Sequence, residues 1–111
     1  MKATVRDASN VRIVDLSGKM TLGGGDVVVR DTVSNLLKEG HKQIVLNLSN
    51  VNYIDSAGIG ELVACKKRAA AAGGDVRLLL PSESVYKVLS IVSLHLIFQI
   101  FEEEAQAIGS F

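Results

Sequence analysis

Ser56 is the residue of this chain whose setting best suits chemistry. It stands in Ile54-Asp55-Ser56-Ala57-Gly58-Ile59-Gly60, where an apolar segment gives way to helical spacing, so a strand-to-helix turn is expected with the hydroxyl at the helix mouth. Three roles are open to such a hydroxyl. It can cap the helix, accepting from the unpaired amides of the first turn. It can be a nucleophile, and the stretch partly matches the Gly-x-Ser-x-Gly elbow of serine hydrolases, but Ile54 stands where the first glycine belongs. His41 precedes the third expected strand and His95 lies near the last, so neither offers a base in the right order, and a serine without a base is unreactive.

The third role is acceptance of a phosphate, which needs exposure and docking space but no activating partner within the chain. A phosphate would add about −1.5 to −2 charges at the positive end of a helix, so the fold would tolerate it. Asp55 would then stand beside a like charge, and a partner fitted to the neutral hydroxyl would be discouraged. Gly58 and Gly60 each cost a helix up to about 1 kcal/mol relative to alanine. They are expected to bare the backbone around Ser56, so that another protein's active site can approach. Asp55 itself could be a phosphoaspartate acceptor, but such receivers need clustered acids for Mg²⁺ and a lysine beside the last strand. Leu96 to Phe101 offers no lysine.

Other features are read as structural. Gly23-Gly24-Gly25 lacks the Gly-Lys-Ser/Thr of a phosphate loop and is expected to be a flexible loop near the Ser56 turn. Lys66-Lys67-Arg68 reads as a solvated basic face, available to an acidic partner. Cys65, three residues after Leu62, is expected to border the buried face as a small apolar filler. Two histidines and one cysteine this far apart make no metal set, and no cofactor is expected. Glu102-Glu103-Glu104 is expected to complement a helix dipole.

The elements that must hold Ser56 follow from the patterning. Ala3–Asp7 and Val11–Leu16 read as a hairpin around Ala8-Ser9-Asn10. After Ser17-Gly18 and a loop through the glycines, Asp26 starts an amphipathic helix with Val29, Val33, Leu36 and Leu37 on one stripe, closed by Gly40. Gln43–Leu48 reads as a central strand covered on both faces, with a turn at Ser49-Asn50. A second helix runs through Glu61, Leu62, Val63 and Lys66 to Gly73-Gly74. Asp75–Leu80 is a strand, Pro81-Ser82 opens a helix through Val85, Val88 and Leu89, Leu96–Phe101 is a last strand, and a short acidic helix spans 102–108. Strands alternating with helices imply a mostly parallel α/β sheet, to which the hairpin adds an antiparallel pair.

Length and charge narrow the function. The 111 residues suit one domain over 1–111, and 48% hydrophobic with 22% charged residues is globular composition. Lysine plus arginine and aspartate plus glutamate both number 12, so no net field draws the chain to nucleic acid or an anionic membrane. The few scattered aromatics make no base-stacking platform. No stretch reaches the ~20 apolar residues of a membrane span, and charges interrupt the N-terminus before a signal peptide develops. With a single cysteine as well, a cytoplasmic protein is expected.

Ile44-Val45-Leu46-Asn47-Leu48-Ser49 followed by Tyr53-Ile54-Asp55-Ser56-Ala57-Gly58-Ile59-Gly60 resembles the signature of STAS domains, in particular bacterial anti-sigma factor antagonists. The likeness covers nearly the whole chain. It implies a non-enzymatic partner-switching module that binds an anti-sigma factor with serine-kinase activity, is released when its serine is phosphorylated, and is reset by a serine phosphatase. In that family the acceptor occupies one of two positions after the aspartate. Ala57 holds the second here, which leaves Ser56, and the partner-binding face then comprises Asp55, Ala57, Gly58, Ile59 and Thr21. Many antagonists carry an acid in the turn after the second strand, where this chain has Lys19-Met20-Thr21. A scaffold or a small-ligand or nucleotide-binding STAS module is the alternative, and self-association as a weak homodimer is left open.

Overall fold

A computed structural model describes all residues from Met1 to Phe111. Five strands lie in one sheet in the order of the chain: β1 (Lys2–Ala8), β2 (Val11–Met20), β3 (Gln43–Ile54), β4 (Asp75–Leu79) and β5 (Ile100–Phe101). The hairpin β1–β2 is antiparallel and every later pair is parallel. Between the parallel strands run α1 (Gly25–Lys38), α2 (Ser56–Ala71) and α3 (Glu83–Ile91), and α4 (Glu104–Gly109) closes the chain. Because each crossover steps the sheet in the same direction, a uniform crossover hand puts α1, α2 and α3 on one face.

Strand alternation divides the core accordingly. Val14, Leu16, Ile44, Leu46, Leu48, Val76 and Leu78 meet Val29, Val33 and Leu36 of α1, Leu62, Cys65 and Ala69 of α2, and Val85 and Leu89 of α3. The opposite parity, Val11, Ile13, Val45 and Leu79, is covered by Ala107 of α4 with Ile108 and Phe111. Arg77 fastens this cover by donating to Ser110 Oγ at 2.6 Å while its guanidinium lies 4.1 Å from the Phe111 ring centroid. No helix is long and apolar enough to cross a membrane.

Three strand boundaries differ from the sequence expectation. Ser49 and Asn50 form no turn: β3 continues for 12 residues to Ile54. The upper half of β2, also longer than expected, supplies the pairing through Ser17↔Asn50, Gly18↔Val51 and Met20↔Ile54, with two register shifts. Local turn preference loses to a neighbouring strand that satisfies the backbone. The last strand keeps only Ile100 and Phe101, because Leu94–Leu96 winds into a 3₁₀ turn continued by the bond from Phe98 N–H to Leu94 O. Apolar runs of this length do not by themselves distinguish strand from helical turn.

Candidate functional site

The extra length of β2 and β3 carries the Ser56 turn to the top of the sheet. At Ile54 the chain leaves β3, the Asp55 N–H donates to Met20 O at 3.3 Å, and α2 begins at Ser56. The cap is Asp55, not Ser56. Asp55 is extended (φ −105°, ψ −175°), and its Oδ1 accepts from Gly58 N–H at 3.0 Å. Its Oδ2 accepts from Leu22 N–H, also at 3.0 Å. The Gly58 amide first, and the Leu22 amide second, hold the Asp55 carboxyl below the usual aspartate range. The carboxylate therefore caps a helix and ties down the β2–α1 loop at once.

With that capping position filled, Ser56 occupies the first helical residue, is exposed to solvent, and has no intramolecular partner for its hydroxyl. Ala57 and Ile59 are half-buried, and Ile59 packs against the main core. Thr21 is half-buried, and its carbonyl accepts from Gly24 and Asp26 N–H at 3.3 and 3.2 Å.

Gly58, expected on the partner-binding face, is buried at the start of α2. A Cβ there would collide with Met20 O and the Ile54 side chain, whereas at Gly60 it would meet nothing. Gly58 thus serves close packing of α2 on the end of β2. Gly25, read only as part of a loop, makes the matching approach for α1: a Cβ there would collide with Lys19 O and Met20 Cα. The two glycines let both helix starts converge on one backbone segment.

Two apolar residues on the segments adjoining the turn are exposed, which sequence patterning does not signal. Leu22 is 77% exposed and Tyr53 is 55% exposed. A leucine in a polar, glycine-rich loop breaks no pattern a periodicity argument tests, and Tyr53 reads as an ordinary strand residue. Of the basic cluster on α2, Lys66 is bound to Asp75 at 2.6 Å and Arg68 to Glu61 at 2.7 Å, leaving Lys67 as its exposed member. Glu61 is 7% exposed and also accepts from Cys65 Sγ at 3.4 Å.

The arrangement offers no hydrolytic machinery around Ser56. His41 precedes β3 and Ser56 follows it, so the length of the strand separates them, and His95 lies in the 3₁₀ turn beside Tyr86. Both Asp55 oxygens are taken by backbone amides, and no three His, Cys, Asp or Glu side chains gather as a metal-holding group. What remains is a solvent-facing hydroxyl at a helix start, with exposed apolar residues, Leu22 and Tyr53, on the segments that adjoin it.

Comparisons with known proteins return the same α/β architecture. The STAS domain family profile matches residues 2–107, and the chain belongs to that family. A Thermotoga neapolitana protein named as an anti-sigma factor antagonist homolog is 38% identical over 72 residues, which cover 65% of this chain and 64% of that protein. The match thus spans just under two thirds of that relative's length. The crystal structure of a Thermotoga maritima protein named as an anti-sigma factor antagonist superposes with a TM-score of 0.89 at 26% identity, covering 97% of this chain and 92% of that one. The phosphorylated form of the Bacillus cell-fate determinant SpoIIAA shares the fold with a TM-score of 0.75 at 21% identity, covering 98% of each chain.

Proposed function

We propose that this chain is an anti-sigma factor antagonist, a cytoplasmic partner-switching module whose state is set at Ser56. Unphosphorylated, it binds an anti-sigma factor that is also a serine kinase. The kinase transfers the γ-phosphoryl group of ATP to Ser56 Oγ, ADP leaves, and the hydroxyl proton passes to the kinase's base. The product dianion stands next to the Asp55 carboxylate, and a kinase surface fitted to a neutral hydroxyl releases it. A serine phosphatase restores the hydroxyl.

The observation that carries this reading is the free, exposed hydroxyl of Ser56 at the first residue of a helix already capped by its neighbour. Because Asp55 does the capping, modifying Ser56 costs the fold nothing it depends on. The names of the relatives and the phosphorylated state of one structural neighbour support the same role.

The test is mass spectrometry after incubation with the cognate anti-sigma kinase and ATP, paired with pull-downs of wild type, Ser56→Ala and Ser56→Asp. A single phosphate on Ser56, retention of the kinase by Ser56→Ala and loss of it by Ser56→Asp are expected. Phosphate found only elsewhere, or equal retention by all three, would refute the reading.

A further inference from the structure

Leu22 is more exposed than any other large apolar residue except Leu96, which equals it at 77%. A lone exposed leucine needs no explanation. Leu22 differs because its backbone is pinned. It lies in the short β2–α1 loop, where Gly23 adopts a positive φ of 78° and a Cβ on Gly23 or Gly24 would touch nothing. The Asp55 carboxylate takes its amide at 3.0 Å and, with the other oxygen, the Gly58 amide of α2 at 3.0 Å. One side chain therefore locks the loop that carries Leu22 to the helix that carries Ser56. An exposed apolar group whose backbone is already tied in place gives up burial free energy but needs less ordering of its loop when a partner covers it. Such preorganised apolar groups are what interface anchors are made of.

Resting on the reading of Ser56 above, we propose that Leu22 is the apolar anchor of the partner-binding face, filling an apolar socket on the kinase beside its phosphoryl-transfer site. Asp55 is then a positioning residue that holds Leu22 at a set place relative to Ser56. Neither side chain touches the transferred phosphoryl group. The pair sets how the antagonist is recognised, so it acts on affinity and KM and leaves the transfer step alone.

Asp55→Asn separates the two jobs of the carboxylate. Asparagine caps helices as well as aspartate does, so its one carbonyl oxygen keeps the Gly58 bond. Its amide group cannot accept from Leu22 N–H. Hydrogen exchange on the free protein should then show the Leu22 amide opened and the Gly58 amide still protected.

The deciding measurement is calorimetric affinity for the purified cognate anti-sigma kinase with ADP bound, using wild type, Ser56→Asp, Leu22→Ala, Leu22→Met, Asp55→Asn and Leu22→Ala/Asp55→Asn. Leu22→Ala should weaken binding about tenfold, or about 1.4 kcal/mol, and raise KM for phosphorylation by a similar factor with kcat kept. Leu22→Met should restore affinity to within about twofold of wild type, since it conserves apolar volume. Asp55→Asn should weaken binding, and adding it to Leu22→Ala should cost nothing more, because a residue acting through Leu22 has no effect once Leu22 is gone. Wild-type binding that Ser56→Asp abolishes but Leu22→Ala leaves intact would overturn the anchor and spare the Ser56 reading. Additive losses in the double variant would overturn the positioning role. Failure of the wild type to bind would overturn the Ser56 reading and the anchor with it. Leu22 is solvent-facing, so its variants should melt with the wild type.

Discussion

Gly58 faces the carbonyl of Met20 so closely that a methyl group at Gly58 would overlap the Met20 oxygen and the Ile54 side chain. The contact joins the first turn of α2 to the last residue of β2 and thereby sets the height at which Ser56 emerges. Gly60, two residues on, is exposed and has no neighbour that a methyl group would reach.

The two glycines should therefore respond oppositely to alanine. Gly58→Ala forces a backbone shift and should destabilise by about 1–3 kcal/mol, the usual range for overpacking. Gly60→Ala adds helix propensity without a clash and should stabilise by about 0.4–1 kcal/mol. Urea denaturation of both variants checks the pair, and equal effects would contradict the packing described.

Charge at Ser56 should cost the fold little. An acid in the first turn of a helix is worth about 0.3–1 kcal/mol in favour of folding, and the proximity of Asp55 offsets part of it. Ser56→Asp and Ser56→Ala should consequently melt within a few degrees of the wild type, since about 1 kcal/mol shifts a domain of this size by about 4–8 °C. Differential scanning calorimetry provides the comparison, and a large loss for Ser56→Asp would mean that its effect on binding is unfolding.

Acid should destabilise the protein in a definite window. Asp15 is held below its ordinary range by the Arg6 guanidinium, with Asn47 assisting; Glu104 is held down by the same Arg6. Burial pushes Asp75 up, but Lys66 and Arg77 outweigh it and the net direction is down. Each carboxyl thus binds its proton more readily in the unfolded chain. Their stabilisation is present above the ordinary carboxylate range and disappears as pH falls through the lower folded-state values. Melting temperature should be steady from pH 7 to about 5 and fall below about pH 4. Asp75→Asn should flatten that fall, whereas the solvent-facing Arg6 pairs should contribute less because water screens them.

Cys65 should be inert while the protein is folded. Burial first, and the neighbouring Glu61 second, push its thiol up to about 12, so almost no thiolate exists at neutral pH. Labelling by a disulfide reagent at pH 8 should be slow in native conditions and should track global unfolding across a urea series. Fast labelling of the folded protein would contradict the packing of α2.

Much of this organisation was legible in the sequence. Strand-helix alternation, the stripe of Val29, Val33 and Leu36, and the apolar run from Ile44 to Leu46 specify a parallel α/β sheet because side-chain periods of 2 and 3.6 residues leave few other ways to bury those groups. The Asp-Ser-Ala-Gly-Ile-Gly run likewise marks the strand-to-helix turn. Tertiary structure alone decided what each of those residues does. Whether Asp55 or Ser56 caps α2 depends on backbone torsion at one residue, whether Gly58 is surface or core depends on how near Met20 comes, and the tie from Asp55 to Leu22 joins residues 33 apart in the chain. Propensity and periodicity are properties of neighbours along the chain, whereas these three outcomes arise from contacts between distant segments that exist only once β2 and β3 have paired to their full length.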